Sequence, residues 1–380
     1  MRILIDYRPA LRQKTGVGLW VAQLVEELAK HTATNKLDLT VFSSSLKDRF
    51  TRTLPATVKR VDRRIPVRML NWLWHHRTWP AIESLTPGVF DVVHSPSPLL
   101  IPTRHAARII SIHDLDFLYH PERSVREVRR DYPALIRDHA NRADGIVVPS
   151  NHTRNEVSRV LNLPTNRIVV CPNGAPNWLP RDCPPERGHL LFVGTINPRK
   201  NIDRLLEAYA QLIERRRTLP RLVLAGHATR ESRPTLNRLT RPPLAGHVYH
   251  EGYVDSHRLR TLYEEALIVV LPSLDEGFGI PALEAMTLGV PVVAASRGAL
   301  PEVLGNAGLL IDPLDVAELS STLEKVLTDQ QLYARLSAAG PVQARRFSWR
   351  ASADALIRAY IAAIEFKRLR LGDKPDAYRN

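Results

Sequence analysis

The chain has 380 residues, 44% hydrophobic and 24% charged; this globular balance excludes a disordered or fibrous protein, and the length suits two domains better than one core. A net charge of +14 favours polyanionic partners such as phosphorylated substrates, an anionic membrane or nucleic acid, or else reflects a wet, Arg-rich surface; no zinc-finger spacing or aromatic nucleic-acid-binding strand supports nucleic acid. The two cysteines, Cys171 and Cys183, lack metal spacing and argue for a reducing cytosol without a structural disulfide, no run reaches the ~18 apolar residues of a membrane span, and the opening MRILIDYRPA reads as a strand and not as a secretory signal.

Short runs of Val, Ile and Leu alternate with helix-like segments. In the first half they fall at 3–6, 37–42, 91–94, 108–113 and 145–149; in the second at 189–194, 221–225, 247–249, 267–271, 291–294 and 309–311. Apolar runs without polar alternation belong to strands buried on both faces, as in parallel sheets flanked by helices, so the fold class is doubly wound α/β. The Pro- and charge-rich stretch APNWLPRDCPPERG at 175–188 reads as a linker and divides the chain into a first domain at 1–176 and a second at 189–364. The simplest architecture is two Rossmann-like domains facing a cleft, with ligands at the carboxyl ends of the strands. A long apolar-periodic helix follows Ser348, a plausible N-cap, and can cross back to the first domain; a polar tail, KRLRLGDKPDAYRN, ends the chain.

Along the chain, Thr15-Gly16-Val17-Gly18 opens a helix over 19–30. It is either a plain helix-start turn or a close backbone approach to an anion. Residues 59–79, KRVDRRIPVRMLNWLWHHRTW, carry six basic residues and one acid, interleaved with Trp72, Trp74 and Trp79. That pattern suits an anionic membrane surface, and equally a helix whose tryptophans pack inward while its arginines stay wet. His113-Asp114-Leu115-Asp116 follows a strand; a lone His there is often only hydrogen-bonded, and Asp114-x-Asp116 could hold a hard cation. Val148-Pro149-Ser150-Asn151, Thr153 and Pro172-Asn173-Gly174 are further strand-end motifs.

Two stretches of the second half point to phosphate. In LLFVGTINPRKNIDRLLEAYAQL, residues 190–212, Arg199 and Lys200 stand at a helix start, either as phosphate ligands or as surface cations with Asn201 as an N-cap. In LPSLDEGFGIPALEAMTLGVPVVA, residues 271–294, the loop Glu276-Gly277-Phe278-Gly279 leads into a helix with Pro281 in its first turn. Glycines admit a close ligand and the helix start offers amide N–H groups and positive charge to a diphosphate. Glu276 and Glu284 are acceptors suited to sugar and ribose hydroxyls.

In nearly every position (PS, EGFG, P, LEAM, G, PV) this second stretch resembles the E-x7-E signature of glycosyltransferase family 4, and the resemblance covers most of 189–364. It implies a GT-B fold and retaining transfer of a hexose from a nucleotide-diphosphate sugar to a hydroxyl of a glycan or lipid-linked acceptor. Lys200 and Arg199 would meet the diphosphate, Glu276 the donor sugar and Glu284 the ribose. Gly277, Phe278, Gly279 and Leu283 would line the donor, as would Thr195, where many members carry Arg. Glu251-Gly252-Tyr253-Val254 resembles the segment whose backbone meets the base. Gly16 and Gly18 resemble the glycine loop facing the donor phosphates, and His113 the family's HD histidine near the transferred sugar. No metal and no cofactor are implied, since Lys200, Arg199 and helix ends answer the phosphate charge. GDP-mannose is the first choice of donor, by resemblance to mannosyltransferases of bacterial surface-polysaccharide and lipopolysaccharide assembly; the expected location is the cytosol, peripherally on the inner face of the cytoplasmic membrane if 59–79 docks there. The rival readings are a sugar-nucleotide epimerase of the same architecture and a non-catalytic polyanion-binding protein.

Overall fold

The computed structural model describes residues 1–12, 16–32, 37–50, 54–123, 126–216 and 218–372. Contacts divide the chain into two compact units, Met1–Gly174 with Trp349–Asn380, and Ala175–Ser348.

Among the described residues the first unit holds seven strands: β1 (Arg2–Asp6), β2 (Asp38–Ser44), β3 (Lys59–Arg63), β4 (Val92–Ser95), β5 (Ala107–Ser111), β6 (Gly145–Val148) and β7 (Ile168–Val170). All pair in parallel, in the order β3-β2-β1-β4-β5-β6-β7. Among its described residues the second unit holds six parallel strands, β8 (His189–Val193), β9 (Leu222–Ala225), β10 (Val248–Gly252), β11 (Ala266–Leu271), β12 (Val292–Ala295) and β13 (Leu309–Ile311), in the order β10-β9-β8-β11-β12-β13. Each order reverses direction beside its first strand, the doubly wound pattern that leaves a ligand crevice at the carboxyl edge.

All eleven expected strands are present within a residue or a few of their expected ends. Two strands went unread, β3 and β7. Both are edge strands: of the five residues of β3 three are exposed and four are charged, and β7 has only three residues, so neither presents a long apolar run.

The boundaries expected at 176 and 189–364 shift. Residues 175–188 are not a loose connection. Trp178 packs on Tyr263 within the second unit, with ring centroids 6.0 Å apart. Arg181 donates to the carbonyls of Glu264 and Ala266 at 3.3 and 2.6 Å. The helix Trp349–Leu371 leaves the second unit and joins the core of the first, where Ala353, Leu356, Ala359, Tyr360 and Ala363 are buried and the helix lies against β5, β6, β7 and the helix Val17–Thr32. Its small residues permit close approach: a Cβ added at Gly145 of β6 would lie 3.1 Å from that of Ala363. Tyr360 Oη meets His94 Nδ1 at 2.8 Å, and Arg370 pairs with the buried Asp144 at 2.7 Å. Cys171 is buried beneath the same helix and donates its thiol to the Ser352 carbonyl; Cys183 is exposed, and both are free. Residues 373–380 of the expected tail lie outside the described residues. Among the described residues no helix is long and apolar enough to cross a membrane.

Replacing Tyr360 by Ala should cost about 3–5 kcal/mol, since it empties a fully buried aromatic position and strands the His94 ring nitrogen. Chemical denaturation of the full chain measures this; a loss below about 1 kcal/mol would show that the last helix is not part of the first unit's core.

Candidate active site

The second unit gathers its polar machinery beyond the carboxyl ends of β8 and β11. After β8, Asn197 caps the short turn Pro198–Lys200, its Oδ1 accepting from Lys200 N–H at 3.2 Å. Asn201 then takes the left-handed conformation, with φ 58°, and passes the chain into the helix Ile202–Arg215. It makes no side-chain cap there. Its buried amide instead donates to the carbonyls of Pro272 and Pro313 at 3.0 and 2.7 Å. With Leu274 N–H donating to the Arg199 carbonyl at 2.8 Å, the turn bearing Arg199 and Lys200 is stitched to the loop after β11.

That stitching delivers Lys200 Nζ to the Glu276 carboxylate as a direct ion pair, while Ser273 Oγ donates to the same oxygen at 2.7 Å. The two side chains are only 12% and 10% exposed. Burial works to raise the Glu276 pKa, but the charges of Lys200 and Arg199 and the bonds from Lys200 and Ser273 outweigh it and hold it below the ordinary range. Gly298 makes room for the loop: its φ is +61°, and a Cβ there would stand 2.5 Å from the Glu276 nitrogen. The Glu276 carbonyl in turn accepts from Ala299 N–H at 2.8 Å.

Gly279, with φ +104°, turns the loop into the helix Ile280–Thr287, whose first turn contains Pro281. Phe278 is buried edge-on against Phe347 at 5.6 Å, and Leu283 is fully buried in the core, so from Leu283 only the main chain is offered to a ligand. Glu284 stands apart from Lys200: its Oε2 accepts from Tyr263 Oη at 2.7 Å, and burial lifts its pKa to about 7 despite that bond. The two glutamates of the motif therefore sit in opposite electrostatic surroundings. Thr195 is exposed at the end of β8. Tyr253 follows β10, half its surface exposed, its ring stacked on His227 with centroids 5.0 Å apart and 17° between planes. Asn197, Gly298, His227 and Tyr263 were not read from the sequence as site residues, and Asn201 was read only as an N-cap. Asn197 carried a local signal, an N-cap residue three before Lys200; the roles of the others depend on distant partners.

In the first unit, His113 follows β5. Its Nε2 is buried without a hydrogen-bond partner, and its ring meets Trp20 edge to face at 5.1 Å. Trp20 Nε1 is likewise buried and unpartnered. Burial lowers the His113 pKa to about 4, against the opposing pull of Asp114 and of a hydrogen bond to the Pro96 main chain, so the ring is neutral at pH 7. Asp114 Oδ1 accepts from Asp116 N–H at 3.2 Å, a local turn. Among the described residues no three His, Cys, Asp or Glu side chains converge as a metal site would. Gly16 has φ +55° with open space at its Cβ position, and Gly18 is buried inside the helix Val17–Thr32, which begins two residues earlier than expected; Thr15 lies outside the described residues.

The basic, Trp-rich segment splits between its two readings. Its first part is β3 and its second the helix Val67–Arg77. Trp74 is buried, with Nε1 donating to the Pro80 carbonyl at 3.0 Å and the Arg8 guanidinium 4.9 Å above its ring. Met69, Trp72 and Trp79 are 50%, 43% and 64% exposed, and Arg60, Arg63, Arg64, Arg68 and Arg77 are exposed with them.

Residues 182–343 match the family description "Glycosyl transferases group 1", and residues 20–176 match "Glycosyltransferase Family 4". The O-antigen chain mannosyltransferase B of Escherichia coli is 31% identical over 393 aligned residues, covering 95% of this chain and 99% of the relative. Among solved structures, sucrose-phosphate synthase from Thermosynechococcus elongatus superposes with a TM-score of 0.77 at 19% identity, over 98% of this chain and 100% of that one. WaaG, a glycosyltransferase involved in lipopolysaccharide biosynthesis, superposes with a TM-score of 0.71 at 16% identity, over 95% and 99%. With two Rossmann-like parallel-sheet units of the GT-B class and a relative of this identity along nearly its whole length, the chain belongs to glycosyltransferase family 4 and is a glycosyltransferase.

Proposed function

We propose that this chain transfers a hexose, with mannose as the first choice, from a nucleotide-diphosphate donor to a hydroxyl of a glycan or lipid-linked acceptor, with retention of anomeric configuration. The observation that carries the reading is the buried Lys200–Glu276 pair beside a glycine loop that opens a helix. A diphosphate entering there meets an ammonium ion held in place and the positive end of a helix, both directed at charge that grows as the sugar leaves. Arg199 adds a second positive charge near the same carboxylate. Glu276 stays ionised and can accept from a donor-sugar hydroxyl, Glu284 from the ribose, and the neutral His113 offers Nε2 to a sugar hydroxyl. The donor preference leans on the mannosyltransferase relative, so GDP-mannose is the first nucleotide sugar to try. The stacked Tyr253–His227 pair, at the edge where the base is expected, offers a planar apolar face. No metal or cofactor is required in this reading.

We further propose that the enzyme works at the inner face of the cytoplasmic membrane. Two exposed tryptophans and a methionine among five exposed arginines suit an anionic headgroup layer, where the rings sit at the interface and the cations meet phosphate.

Lys200→Ala should lower the transfer rate by roughly 10²-fold or more. It should also cost about 3–5 kcal/mol of stability, because it removes the direct cation partner of the buried Glu276 charge. The double variant Lys200→Ala/Glu276→Gln should recover much of the stability and none of the rate; a recovered rate would remove the ammonium from the chemistry. Proton NMR of the glycoside product should show the donor's anomeric configuration, and an inverted linkage would overturn retention. In flotation assays the protein should rise with anionic vesicles and not with neutral ones, and Trp72→Ser/Trp79→Ser should abolish this; equal flotation of the double variant would discard the membrane proposal.

A further inference from the structure

We infer that Tyr263 is a positioning residue for the nucleotide ribose: its hydroxyl holds one oxygen of Glu284 so that the other faces the ribose diol. The inference deepens the reading of Glu284 as the ribose acid and rests on it.

Tyr263 lies outside the E-x7-E motif, 21 residues before Glu284, on the helix Ser256–Glu264 that precedes β11. Its side chain is fully buried, and its hydroxyl donates to Glu284 Oε2 at 2.7 Å. A buried tyrosine hydroxyl must find a partner, and this one has found a motif carboxylate in place of a structural carbonyl. The ring is itself braced: Trp178 packs on it at 6.0 Å, and the Arg260 guanidinium lies 6.0 Å over Trp178. Trp178 comes from the 175–188 segment, so a stretch that reads as a linker buttresses the site through Tyr263.

The chemistry of the carboxylate explains the need for such a holder. A glutamate has three rotatable bonds, and a vicinal diol is gripped well only by a carboxylate already turned toward it. An ionised carboxylate has roughly four acceptor positions; Tyr263 occupies one on Oε2 and leaves Oε1 for the sugar. The tyrosine also favours the charged form, the form that accepts from hydroxyls. Burial pushes the Glu284 pKa up to about 7, and the bond from Tyr263 is the influence acting against burial. If the hydroxyl is removed, the pKa rises further, and ribose binding should be lost at a higher pH. A tyrosine that merely filled space would influence the protein's stability and leave this pH dependence alone.

Calorimetric titration of the full chain with GDP and UDP, and with their 2′,3′-dideoxy forms, tests the inference between about pH 6 and pH 9, a window that brackets the Glu284 value. For the wild type, affinity for GDP or UDP should fall as pH drops through about 7, while the dideoxy forms, lacking the diol, should show no such step. Tyr263→Phe should weaken the ribose nucleotides roughly three- to tenfold at neutral pH and move the step upward by about half a unit or more, with the dideoxy forms unchanged. Fluorotyrosine at 263 keeps the shape and makes a stronger donor, so its step should move downward. Equal losses for ribose and dideoxy nucleotides in Tyr263→Phe, or a step that neither variant moves while Glu284→Gln abolishes it, would overturn the role of Tyr263 and leave the ribose role of Glu284 standing. If Glu284→Gln leaves every affinity unchanged, the ribose reading itself has failed.

Discussion

The ion pair between Lys200 and Glu276 is the interaction on which the second unit's site depends. A carboxylate taken out of water is costly unless a cation and further donors replace its hydration, and here Lys200, Ser273 and the nearby Arg199 do so. The pair stands only because two loops far apart in sequence are tied together. Asn201 supplies much of that tie by spending its side chain on two proline carbonyls, those of Pro272 and Pro313. Gly298 supplies the space, since any side chain there would collide with the Glu276 backbone. The site's charge is therefore set by backbone geometry contributed from three separate segments.

The two glutamates of the motif differ in environment. Glu276, beside Lys200 and Arg199, is held ionised; Glu284, half-buried with a tyrosine as its neighbour, sits near its titration point. Identical side chains eight positions apart thus carry different protonation behaviour, as happens where surroundings and not residue type assign chemical roles. A carboxylate with a pKa near neutrality is sensitive to any single hydrogen bond, which is why one tyrosine hydroxyl carries weight there.

The first unit has a different organising constraint. Its sheet is covered by a helix from the far end of the chain, whose alanines and Tyr360 close the core over β5, β6 and β7 and whose Tyr360 also fixes the buried His94. His113 lies in the same unit, neutral and with an unsatisfied buried nitrogen beside an equally unsatisfied Trp20 indole. Buried polar atoms without partners are rare in folded proteins and mark places where structure has been held back from full internal satisfaction. On the opposite kind of surface, the helix Val67–Arg77 turns Leu70 and Trp74 inward and keeps Met69 and Trp72 outward, so a single amphipathic element serves both the core and the exposed basic face.

Much of this was legible in the amino-acid order. Parallel strands buried on both faces write themselves as unbroken apolar runs, and eleven of the thirteen strands among the described residues were read that way; β3 was missed because an edge strand can carry four charges in five residues, and β7 because its apolar run is no longer than Ile168–Val170. Glu276, Glu284, Lys200 and the glycine loop were singled out through the resemblance to the family signature, since two glutamates at that spacing mean little alone, and the structure brings Lys200 and Glu276 together. What only the tertiary structure decided were the matters that spacing cannot encode: that Asn201 is a clasp and not a cap, that Gly298 yields room to Glu276, that Tyr263 answers Glu284, that 175–188 is packed and that the last helix belongs to the first unit. Each of these rests on a partner tens to hundreds of residues away, and a local pattern carries no information about which distant group will satisfy a buried polar atom or fill the space against a sheet.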